Sequence, residues 1–73
     1  MSYASEELLA QLRRERERAR ITQRGLSQRS GVTQSHISQI ESGKLEPGLS
    51  SFLALARSLD LEPVLVPRKL LPA

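Results

Sequence analysis

The sequence has no cysteine, a single histidine and no long apolar run, and each shortage removes a class of function. Without cysteine, no disulfide can staple the fold and no thiolate can hold a metal or attack a substrate. With His36 alone and scattered carboxylates, the chain offers no cluster at metal-ligand spacing. A nucleophile–base pair cannot be assembled either, so the sequence reads as a non-enzyme with no cofactor and no metal. No apolar stretch approaches the roughly 20 residues of a membrane span, and the opening residues are polar and acidic rather than signal-like. At 73 residues the chain makes one small domain. Such a domain buries only about 60 % of its unfolded surface, so its core is thin.

Arginine is what the chain has in plenty. Eleven basic residues against eight acidic give a net charge of +3 and a pI near 10.2, which suits a polyanionic partner. Seven of the eleven, Arg13, Arg14, Arg16, Arg18, Arg20, Arg24 and Arg29, precede Gly31. Arginine pairs with phosphate bidentately, where lysine offers a point charge. Any one of them also fits a solvated helix face tempered by Glu15 and Glu17, and both readings stand at this point.

The chain is organised around residues 22–42, TQRGLSQRSGVTQSHISQIES. The pattern predicts two short helices, over residues 23–30 and 34–41, with a fixed turn between them. Thr22 and Thr33 stand where a hydroxyl can cap a first-turn N–H. Gly31 lies where the chain must reverse and a positive φ is needed. Leu26 and Ser30 supply the inner face of the first helix, with Ser27 small enough for close approach. Val32, Ile37 and Ile40 supply the inner face of the turn and the second helix. Gln34, Ser35, Ser38 and Gln39 remain outside, and these are short uncharged side chains of the kind that read base edges.

On these residues the chain resembles the lambda-repressor-like helix-turn-helix family of the Cro or Xre type. The likeness continues through Ile21-Thr22-Gln23, Gly31-Val32-Thr33, Ile37-Ser38, Glu41-Ser42-Gly43-Lys44, Pro47, Leu55-Ala56 and Leu59. It implies an all-α fold of four to five short helices in a DNA-binding domain over residues 1–60, and a bacterial or phage-encoded cytoplasmic protein. It implies double-stranded DNA as partner, with Gln34, Ser35, Ser38 and Gln39 on base edges in the major groove. Thr22, Gln23, Arg24, Thr33, His36 and Lys44 would lie along the phosphates. Arg16 would pair with Glu41 and tie the first helix to the end of the recognition helix. One recognition helix reads too few base pairs for useful specificity, so a homodimer on a palindromic operator follows, acting as a repressor.

The flanks complete the reading. Residues 1–5 carry no pattern and are expected to fray, with Ser5 as N-cap ahead of Glu6 and Glu7. The first helix then runs to about residue 18, with Leu8, Leu12 and Ala19 facing the core and Leu9 at its margin. Arg20 stands at a bend where the family often has glycine, so it must accept an unfavourable φ or shift the turn. Gly43 is the expected left-handed cap, and Glu46 in the following loop would repel phosphate. A fourth helix over residues 50–59 carries the stripe Leu49, Phe52, Leu55, Ala56 and Leu59, leaving Leu53 to face a partner.

Residues 61–67 form a β-prone run bracketed by Pro63 and Pro67, followed by the basic pair Arg68-Lys69 and a loose tail. Within this arm, residues 61–73, the stretch from Leu61 to about Arg68 resembles the C-terminal strand of HipB-like antitoxins. That implies dimerisation through Leu53, Val64, Leu65 and Val66, and an alternative function: an antitoxin that neutralises a toxin protein and regulates its own promoter. A strap over the protomer's own helices is the competing use of the arm.

Overall fold

The computed structural model describes residues 5–72. They form α1 (Ser5–Arg18), α2 (Gln23–Ser30), α3 (Gln34–Glu41) and α4 (Leu49–Ser58), followed by a single 3₁₀ turn at Arg68–Leu70. No strand occurs among the described residues. The fraying expected at the start of the chain falls on residues 1–4, outside the described residues, as does Ala73 at the end of the tail.

Local chemistry accounts for the helix boundaries. The Thr22 hydroxyl accepts from the Gly25 N–H at 2.9 Å, and the Thr33 hydroxyl from the His36 N–H at 3.2 Å. Each satisfies one donor that a helix start leaves unpaired. Gly31 ends α2 at φ 80°, its N–H donating to the Ser27 carbonyl at 2.9 Å. The other three helices end in a common geometry, a paired return of two N–H groups to the last turn. Ile21 and Arg20 donate to the carbonyls of Arg16 and Glu17, Lys44 and Gly43 to those of Gln39 and Ile40, and Leu61 and Asp60 to those of Ala56 and Arg57. The left-handed residue is Arg20 (φ 59°), Gly43 (φ 80°) and Asp60 (φ 59°) respectively. Only one of the three is glycine. The bend at Arg20 therefore keeps its turn and takes the unfavourable φ.

α2 packs on α3 and α4, and α1 packs on α3. The buried side chains are Leu12, Leu26, Val32, Ile37, Ile40, Leu55 and Ala56, with Ile37 the most enclosed of the large ones at 1 % exposure. Burying each large aliphatic contributes about 1.5–3 kcal/mol, so the core holds the helix pair at its centre. Leu9, Ile21, Leu45, Phe52 and Leu59 pack around this cluster.

Four expectations are corrected. Leu8 is exposed while Leu9 packs on the core. The inward row of α1 is Ser5, Leu9, Leu12 and Arg16, one residue round from the anticipated Leu8 row, because α1 turns that face to α3. Ala19 is exposed, since it already lies beyond the last residue of α1. Leu49 opens α4 and is 74 % exposed, lining a surface pocket with Leu8 and Leu9 of α1 rather than entering the core. Ser5 is the first helical residue described, not a cap, and its hydroxyl donates to Glu46 Oε2 at 3.2 Å.

Candidate nucleic-acid interface

α3 has two chemically distinct sides. Ile37 and Ile40 are buried, whereas Gln34, Ser35, His36, Ser38 and Gln39 are all exposed. The outward set carries hydroxyl and carboxamide groups but no formal charge apart from any on His36. Such groups can donate to and accept from base edges, and glutamine can pair bidentately with adenine.

A partly buried ion pair at its C-terminal end holds α3 in place. Arg16 Nε donates to Glu41 Oε2 at 2.7 Å and Nη2 to Oε1 at 2.8 Å, with the two side chains 11 % and 8 % exposed. Arg16 Nη1 also donates to the Ile21 carbonyl at 2.8 Å, so one guanidinium joins α1, the α1–α2 bend and α3. Gln23, at the start of α2, donates to Glu41 Oε1 at 3.0 Å. The network is complete: among the described residues no buried side-chain polar atom lacks a partner.

Burial by itself would raise the Glu41 carboxyl. The hydrogen bonds from Arg16 and Gln23, together with the charges of Arg16 and Arg13, outweigh it and hold Glu41 below its ordinary value. The hydrogen bond to Glu41, partly offset by burial, raises Arg16 further above its already high value, helped by the charges of Glu41 and Glu17. A carboxylate in the last turn of α3 opposes the helix dipole, and Arg16 supplies the missing positive charge.

Around this scaffold lie the cations. Arg13 pairs with Glu17 at 3.5 Å and Arg18 with Glu15 at 3.2 Å, along exposed parts of α1. Arg14, Arg20, Arg24, Arg29 and Lys44 are exposed and pair with no carboxylate among the described residues. Thr22 and Thr33 are exposed beside the helix starts that they cap. Glu46, in the loop where it would face phosphate, is turned onto the first residue of α1. That contact sets its charge near the positive end of a helix dipole.

The helix-turn-helix family profile matches residues 12–66, from the middle of α1 into the arm. The chain belongs to the Cro/Xre type of helix-turn-helix protein. It is 59 % identical over all 73 residues to an uncharacterized HTH-type transcriptional regulator, y4dL, of Sinorhizobium fredii. The chain spans 37 % of the length of that curated relative. No solved structure matches it significantly.

In a helix-turn-helix protein of this type, the sequence points directly to the outward row of α3 and to the Arg16–Glu41 pair. The resemblance also points to Gln23 as a residue that steadies the recognition helix, and the structure shows how, through its amide on Glu41. Arg20 was legible both as a backbone problem and as one of the seven arginines before Gly31. Its side chain adds an exposed cation at the α1–α2 bend. No group of three or more potential metal ligands, and no helix long and apolar enough to cross a membrane, occurs among the described residues.

Proposed function

We propose that this chain is the sequence-specific DNA-binding unit of a transcriptional regulator, a cytoplasmic repressor that acts as a homodimer on a palindromic operator. The observation that carries it is the two-sided α3. Its buried side is locked by Ile37, Ile40 and the Arg16–Glu41–Gln23 network, and its open side offers Gln34, Ser35, Ser38 and Gln39. Rigid presentation of uncharged donors and acceptors suits base readout, and the nearby cations suit phosphate. Thr22, Gln23, Arg24, Thr33, His36 and Lys44 take the phosphate role in this reading. Residues 1–60 are the binding unit and residues 61–73 the arm. No catalytic step belongs to it. Selection from random duplexes, followed by footprinting upstream of the chain's own gene, tests it. Enrichment of an inverted repeat is expected, and a selection that enriches no sequence would overturn base readout.

The dimer draws support from the arm. Among the described residues, the backbone of residues 62–66 makes no hydrogen bond within the chain, and Val64, Leu65 and Val66 are exposed. A second copy of the segment, antiparallel across a two-fold axis, would satisfy both backbones at once, with Pro63 and Pro67 limiting the ladder. Leu53, half-buried beside Leu65 in a groove, would pack beneath it. Deleting residues 62–73 is expected to shift the protein from dimer towards monomer in sedimentation, with operator affinity falling while non-specific binding is kept. A truncated chain that stays a tight dimer makes the arm a strap on its own protomer.

The same exposed arm favours a second reading, an antitoxin whose arm meets a toxin protein. Co-expression with the product of an adjacent gene distinguishes them: rescue from that product's toxicity supports the antitoxin, and no toxicity removes it.

A further inference from the structure

One exposed face of α1 is charged in opposite senses at its two ends. Glu7, Ala10, Gln11 and Arg14 recur at i, i+3, i+4 and i+7, so they share a side of the helix, and all four are exposed. Glu7 and Arg14 form no ion pair among the described residues, although Arg13 and Arg18 each find a partner on the same helix. Three and four residues beyond Glu7 stand Ala10 and Gln11, and Glu17, the carboxylate three residues from Arg14, is held by Arg13.

This face forms one wall of an open groove of about 640 Å³, and Val64, Leu65, Val66 and Leu71 form the other. The walls carry apolar side chains left in water: Leu8 is 44 % exposed, Val64 72 % and Leu71 40 %. An apolar groove with a negative and a positive end is self-complementary under a two-fold rotation, which brings each end against the opposite end of a copy.

We propose that this groove is the homodimer seam, with α1 of two copies crossing antiparallel about Ala10 and Gln11, and Glu7 of each copy against Arg14 of the other. The inference rests on the dimer proposed above and assigns its surface. Glu7 and Arg14 lie seven residues apart, roughly 10 Å along the helix, so one antiparallel register matches both cross-pairs together. Ala10, small and central, lets the two helices approach to the roughly 8–10 Å of packed helices. The arm lies against the same face, so strand pairing and helix crossing share one axis. Leu8, Val64 and Leu71 leave water as the seam closes.

Sedimentation of the full chain with charge-reversed variants tests this. Glu7→Arg and Arg14→Glu should each weaken the dimer about ten- to a hundredfold, since two attractive contacts become repulsive. Both substitutions are on exposed positions, so at concentrations where the parent is itself monomeric the variants should melt close to it. An equimolar mixture of the two variants should restore a dimer of parental strength, because every cross-contact then joins opposite charges. A dimeric parent whose variants dissociate no more readily overturns the seam and leaves the dimer reading intact. Variants that dissociate but fail to recover on mixing also overturn it, as a general charge effect. A parent that is monomeric at every concentration overturns the dimer and the seam together.

Discussion

Arg16 grips both carboxylate oxygens of Glu41, at 2.7 and 2.8 Å, across 25 residues of sequence. Because the two side chains are nearly enclosed, removing either leaves the other charge without its partner in a poorly solvated place. Arg16→Ala and Glu41→Ala should each cost about 2–4 kcal/mol, lowering the melting temperature by roughly 10–20 °C in a domain this small. The double variant should cost well under the sum of the two. Calorimetry on the four proteins reads the coupling; strict additivity would mean that the pair does not act as a unit.

The same pair sets a pH response. Glu41 has its carboxyl lowered in the folded state, so its contribution is fully present above the unfolded value, about 4.3, and is lost as pH falls through the folded one. Arg16 is raised, so its contribution persists at all lower pH and disappears only in strong alkali. Melting temperature should therefore hold near neutrality and drop in acid. Glu41→Gln should flatten the acid limb, and an unchanged slope in that variant would move the acid sensitivity elsewhere.

Base contacts and phosphate contacts should separate in binding assays. Gln34→Ala or Gln39→Ala should lose about 1–3 kcal/mol on the selected site and relax preference at particular base pairs. Lys44→Ala and Arg24→Ala should weaken binding to all sequences alike, each reducing the salt slope by about 1. An unchanged preferred sequence for both glutamine variants would remove α3 as the reader.

Arg20 holds φ 59° at the end of α1, a conformation that costs an ordinary L-residue roughly 1–2 kcal/mol. Arg20→Gly should relieve most of this, offset by added freedom in the unfolded chain. We expect a net gain of about 0.5–1 kcal/mol, or some 3–6 °C, measured by thermal melting. A loss of stability would show that the arginine side chain contributes more than the strain removes.

The helix pair was determined by the sequence itself. Thr22, Gly31, Thr33 and Gly43 act through hydrogen bonds and φ angles within a few residues, so their effect is written locally. The alternation of Ile37 and Ile40 with Gln34, Ser38 and Gln39 then decided which side of α3 is buried. Tertiary structure decided what depends on contacts between distant segments. Leu8 and Leu9 are equally apolar, and only the packing of α1 on α3 chose the row that sets Leu9 against the core and exposes Leu8. Likewise Leu49 continues the helical stripe of α4, yet it stays 74 % exposed in a surface pocket beside Leu8 and Leu9. Gln23 meets Glu41, and Glu46 meets Ser5, over separations of 18 and 41 residues. Periodicity records which residues share a face. It takes the packed neighbour to say which face is turned inward.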